Sequence, residues 1–113
     1  MTSPFSSSQL KFFEKFAEAM FDGFADMKIP ISTVVSNFSK IYELVGDPPA
    51  SRMRTVLTLA PLALGLDFTG ISVARRRKRI EKNLINSSID IKQDLARLKA
   101  LTYVAYYGHW EPD

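Results

Sequence analysis

A ridge of phenylalanine constrains this chain more than any other feature. After Phe5-Ser6-x-x-Gln9-Leu10, the residues Phe13, Phe16, Ala17, Met20, Phe21 and Phe24 recur at steps of three and four. That is the spacing of a helix with one buried face. Phe12 falls to the side of the stripe. Ser6 and Gln9 have the spacing of a capping box, and Phe5 and Leu10 sit where a hydrophobic staple places its two apolar residues. Four phenylalanines on one face exceed what a short helix needs to hold itself down. The ridge is either pure core or a core shared with a partner, because surplus apolar area is usually covered.

The remaining pattern is helical as well. A second helix is expected over Thr33 to Val45, capped by Ser32, with Val34, Val35, Phe38, Ile41, Tyr42 and Val45 inward. Gly46 suits the left-handed position that ends helices. A third helix is expected from Pro49 to Ala60. Pro61 lacks a donor and clashes with the preceding turn, so the helix should kink or stop there. Leu62 to Leu66 then reads as an apolar connection and Thr69-Gly70 as a turn. Ser72 should cap a fourth helix, Val73 to Asn86, with Val73, the Arg77 stem, Ile80 and Leu84 inward. Its opposite face would carry Arg75, Arg76, Lys78, Arg79 and Lys82. A fifth helix, Ile89 to Tyr107, turns Ile91, Leu95, Leu98, Leu101, Thr102 and Ala105 inward. The joint Asn86-Ser87-Ser88 reads equally as a break or as a bend in one long helix. The prediction is an all-α fold of about five helices, in a compact or partner-wrapping bundle. It forms a single domain over 1–113, with flexible ends at 1–4 and 109–113.

Composition narrows the chemistry. The 113 residues are 46% hydrophobic and 24% charged, with a net charge of +3. A chain of this length buries only about two thirds of its unfolded surface, so its core is limited. There is no cysteine and one histidine, His109. Disulfides, cysteine-held clusters and a histidine metal cage are therefore excluded. No catalytic set of residues is evident. The longest apolar run, Val56 to Leu66, is interrupted by Thr58 and Pro61 and falls well short of the ~20 residues that span a bilayer. The start of the chain lacks the charge and apolar stretch of a signal peptide, so a cytoplasmic location is expected.

Three features suggest contact with a partner. The basic run Arg75 to Arg79 reads as a solvated helix face, as a docking surface for an acidic protein, or as a site for nucleic acid or anionic lipid. Tyr103, Tyr106, Tyr107 and Trp110 form an aromatic cluster of the kind enriched at binding hot spots. The phenylalanine ridge is the third. Phe12, Phe16, Arg76, Tyr107 and Trp110 are the expected partner contacts, as exposed aromatic and arginine anchors. No catalytic, cofactor-binding or metal-binding residue is expected in this chain.

The opening FSSSQLKFFEKFAEAMFDG resembles the start of helical units attached to glucose–methanol–choline (GMC) flavin oxidoreductases. Such units occur fused to long-chain alcohol oxidases or as separate small subunits of the gluconate 2-dehydrogenase subunit 3 type. Arg54 to Leu64, an arginine followed by an apolar helix, is similar too. So are Phe68-x-x-Ile71 with Arg76, Ile80 and Leu84, and Leu98-Lys99-x-Leu101 through Tyr106-Tyr107-Gly108. Ser72 stands where the family often has proline. The flavin fingerprint G-x-G-x-x-G is absent from this chain, and so is a twin-arginine export signal. The resemblance implies a non-catalytic small subunit, with FAD held by a large partner that oxidises an alcohol, sugar or sterol hydroxyl. It also implies periplasmic co-export with a signal-bearing partner as the alternative location. The competing readings are a small basic helical protein that binds nucleic acid or regulates, and a structural protein that self-associates through its phenylalanines.

Overall fold

A computed structural model describes residues 3–22 and 27–108. Among these residues five α-helices follow one another: α1 (Ser7–Met20), α2 (Ile31–Val45), α3 (Pro49–Leu64), α4 (Val73–Asn86) and α5 (Ile89–Tyr107). A single 3-10 turn, Phe68–Gly70, lies between α3 and α4. The fold is all-α, as the periodicity predicts.

The start of α1 is fixed by its cap. Ser6 Oγ accepts the Gln9 N–H at 3.2 Å, and the Gln9 side chain accepts the Ser6 N–H at 2.9 Å. Phe5, just before the cap, stacks on Phe38 of α2 and meets Tyr42 edge-on. Ser3 and Pro4, expected in a loose tail, are held instead. The Ser3 hydroxyl accepts bonds from Phe5 and Ser39, and the Pro4 carbonyl accepts one from Arg54.

The phenylalanine ridge is the core. Phe13 and Phe16 are completely buried, and Phe13 lies flat on Phe38 with ring centroids 3.8 Å apart. Phe12 is only 4% exposed and packs against Phe68. Phe12 and Phe16 are thus interior residues of the isolated chain, which corrects their expected role as exposed partner anchors. The reason is geometric. Helices pack on α1 from several directions, so its buried arc is wider than one stripe and takes in Phe12. Phe24 lies outside the described residues.

Two boundaries differ from expectation, and one left open is settled. α2 begins at Ile31, not after Ser32, with Pro30 in the capping position and no side-chain cap. α3 does not stop at Pro61 but runs on to Leu64. An interior proline costs a helix about 3 kcal/mol. Burial of Leu64, 1% exposed, offsets part of that, and Gly65 N–H donating to Pro61 O closes the last turn. The joint at Ser87 is a true break: Ser87 and Ser88 are both extended, and α4 and α5 are separate helices in contact.

The fourth helix keeps Ile80 and Leu84 against the core, as expected, but differs in one arginine. Arg76, not Arg77, faces inward together with Ile80. On α5, Leu95, Leu98, Thr102 and Ala105 are buried, as expected. α2 and α5 are linked by the buried Asn37 amide, which donates to the Ala105 carbonyl at 2.9 Å.

Removing a buried phenylalanine leaves a cavity and costs about 3–5 kcal/mol, a large part of the ~5–15 kcal/mol of a typical domain. Phe12→Ala and Phe16→Ala are each expected to lose that much in urea unfolding of the isolated chain. Unchanged stability in either variant would return that residue to the surface role.

Candidate partner interface

The basic run is mostly consumed inside the molecule. The Arg76 side chain is 5% exposed and pairs with Glu18 of α1 at 3.0 Å. It also donates to the Ile71 carbonyl at 3.1 Å. The expected role of Arg76 as an exposed anchor is therefore corrected: it ties α4 and the segment before it to α1. A buried charge persists only when paired and hydrogen-bonded. Arg77 donates to the Asp22 carbonyl at 2.7 Å and pairs with Glu81. Among the described residues, Arg75, Lys78 and Lys82 make no ion pair, so the outward basic face is thinner than the sequence suggests.

Arg79 forms a clasp. Its guanidinium binds both carboxylate oxygens of Asp67 and donates to the Leu64 carbonyl at 3.1 Å. A cation over the last carbonyls of a helix is favourably placed. Gly65 makes the clasp possible. Its φ is 106°, a backbone conformation L side chains rarely adopt, and a Cβ there would collide with the Arg79 guanidinium. The hydrogen bond from Arg79 holds the Asp67 carboxyl below its usual range. Asp47 is lowered likewise, chiefly by its bond from the Ser51 hydroxyl.

The aromatic cluster divides. Tyr103 and Tyr106 pack against Phe21, and the Tyr106 hydroxyl accepts the Lys28 N–H at 2.8 Å. Tyr107 is 62% exposed and stands edge-on to Tyr106. It keeps the position expected of a surface anchor. Trp110 and His109 lie outside the described residues.

The more extensive apolar surface is elsewhere. Leu59, Leu62, Leu66, Ile85 and Ile89 are all exposed, Leu66 at 86%. They sit on the last turns of α3, in the connection after it, and on both sides of the α4–α5 joint. A groove of about 110 Å³ joins the two regions. It is walled by Leu59, Ala63, Ile91 and Leu95, with Asp90 and Asp94 alongside. From sequence, Leu62 to Leu66 reads only as an apolar connection, which gives this end no surface role. The signal was present: Leu59, Leu62 and Leu66 recur at helical steps, out of phase with the buried Val56, Leu57, Ala60 and Leu64.

Among the described residues, no three histidine, cysteine or acidic side chains gather as metal ligands, and no helix is long and apolar enough to cross a membrane. No protein-family model, curated protein or solved structure matches this chain.

Two outcomes are expected. Arg76→Ala should destabilise the fold by about 2–4 kcal/mol, the range for breaking a largely buried pair whose acidic partner is still partly wet. Arg75→Ala should stay within about 0.5 kcal/mol. Chemical denaturation of both variants checks the contrast. Second, Asp47 and Asp67 have folded pKa values below the unfolded value of about 3.9. Their stabilising contribution is therefore complete above the unfolded value and lost as pH falls through the folded ones. Asp67→Asn should flatten the acid limb of stability against pH and leave its shape near neutrality unaltered.

Proposed function

We propose that this chain is a non-catalytic helical subunit that docks through the apolar end formed by α3 and the α4–α5 joint. Its partner is a large FAD-dependent oxidoreductase subunit of the GMC type, acting on an alcohol, sugar or sterol hydroxyl. The observation that carries the docking is the exposure of Leu59, Leu62, Leu66, Ile85 and Ile89 around the end of α3 and the α4–α5 joint, in a fold whose described phenylalanines are all buried in its core. Such a patch is the usual mark of a protein-binding surface. The identity of the partner is supported by the resemblance of the opening helix, of Phe68 to Leu84 and of the Leu98–Gly108 close. Tyr107 is a second contact, with an amphipathic ring suited to an interface rim or anchor. In this arrangement FAD and the reacting groups belong to the large subunit, and this chain gains stability from a partner that binds only its folded form.

The test is capture of the large subunit by tagged chain in its own host, with an absorbance spectrum of the eluate. A stoichiometric larger protein with bound-flavin absorbance is expected. Leu62→Asp and Leu66→Asp should each weaken that capture tenfold or more, which is about 1.4 kcal/mol or greater. Both positions are exposed, so the free chain should unfold within about 0.5 kcal/mol of the parent. Elution of the chain alone, or with nucleic acid, would overturn the proposal.

A further inference from the structure

A small cleft opens on another face, where the first turn of α3 meets α2 and α5. It holds about 140 Å³ and is lined by Tyr42, Pro49, Arg52, Met53 and Arg97. Three polar groups line it from three separate helices. Arg52 and Arg97 are both exposed, and neither makes an ion pair among the described residues. Tyr42 is 7% exposed as a residue, its ring fixed by Phe5 and Phe38, and its hydroxyl has no hydrogen-bond partner there. Burial raises the phenol above its ordinary pKa, and Arg97 is near enough to pull the other way. The hydroxyl is therefore a hydrogen-bond donor at neutral pH, beside a cation.

Nearby carboxylates are committed elsewhere or stand apart. Asp47 accepts from Ser51 and Arg54, and Glu43 accepts from Ser39. Asp94, one turn before Arg97, lines the neighbouring groove beside Leu59 and Ala63 and makes no ion pair with Arg97. The N-terminus of α3 adds positive potential through its dipole. It offers no free donor, since Pro49 has none. The next three N–H groups bond to Gly46 O, Asp47 Oδ1 and Pro48 O. Binding would therefore rest on the three side chains.

We propose that Arg52, Arg97 and the Tyr42 hydroxyl form a binding site for a tetrahedral oxyanion, either phosphate or a terminal phosphomonoester. Two guanidinium forks and a hydroxyl converging from three elements match a group with acceptor oxygens on every side. A planar carboxylate matches one fork edge-on, whereas a tetrahedral oxyanion also offers oxygens outside that plane. The volume is well below the roughly 300–1,000 Å³ of drug-sized pockets. The cleft takes the anionic end of a ligand and leaves the remainder outside. The site does not rest on the flavoprotein reading, since all three side chains belong to this chain and none of them lines the apolar groove. Sequence reading missed it because Arg52 and Arg97 belong to no local motif. Only the packing of α3 against α5 brings them together.

The experiment is titration of inorganic phosphate into the isolated full chain at low ionic strength, followed by amide chemical shifts. A saturable response is expected, centred on Tyr42, Met53 and Arg97. Arg52→Gln and Arg97→Gln should each weaken binding about tenfold, the loss of one charge-assisted contact. Tyr42→Phe should cost a smaller factor, and Arg75→Gln on the far basic face should leave binding unchanged. Both arginines are exposed, so their variants should keep the parental fold, checked by circular dichroism. A second arm uses phosphatidylcholine vesicles with and without phosphatidic acid. Co-sedimentation that requires phosphatidic acid and is lost in Arg97→Gln identifies a lipid headgroup. Phosphate binding without it identifies a soluble ligand. A linear, unsaturated response in both arms, or binding retained by the Arg52→Gln/Arg97→Gln double variant, would overturn the site.

Discussion

The stacking of Phe13 on Phe38 is the contact around which the other helices are arranged. A chain of 113 residues has few ways to build an interior of sufficient size. This one uses large flat rings held in close order. Phe5 and Tyr42 extend the cluster on one side. Phe12, Phe16 and Phe68 continue it on another. Phe21 carries it to the tyrosines of α5. Each ring removes considerable apolar area from water, and edge-on and offset pairs add a further ~0.5–1.5 kcal/mol apiece. Three of the rings stand on α1 and two more, Phe5 and Phe21, flank it, so that helix must be surrounded. Four other helices and one short turn supply the surround.

Charge is spent with the same economy. The arginines of α4 look from sequence like one block, yet they do different things. Arg76 enters the interior and pairs with Glu18, Arg77 reaches the Asp22 carbonyl, and Arg79 closes the end of α3. A run of like charge thus becomes a set of struts radiating from one helix. Arginine suits this use because its fork satisfies several acceptors at once and stays charged when dehydrated.

Periodicity made most of the fold legible. The capping box at Ser6, the cap at Ser72, the limits of α4 and α5 and the inward residues of α5 all follow from local spacing. What failed did so where tertiary packing outweighed local preference. Pro61 should end a helix, but Leu64 beyond it has a buried place to fill. Arg77 and Arg76 are adjacent, and only the position of Glu18 on another helix decides which turns inward. Phe12 lies at the edge of its stripe, and its burial depends on Phe68, far along the chain. The surface was less legible than the core. A leucine at position 62 or 66 carries no sign of which way it points until the end of α3 is known. The pairing of Arg52 with Arg97 exists only in three dimensions.

The bond from Asn37 to the Ala105 carbonyl spans 68 residues, and the Arg76 to Glu18 pair spans 58. Both fasten the first two helices to the last two. On a ribosome the chain emerges from its N-terminus, so the phenylalanine helix appears well before the helices that cover it. Until α5 has been made, that helix presents its apolar ridge uncovered. Incomplete chains of this kind are prone to aggregate or to be held by chaperones. Closure waits for α5, whose Ala105 carbonyl and buried Leu95 and Leu98 complete the interior that α1 and α2 begin.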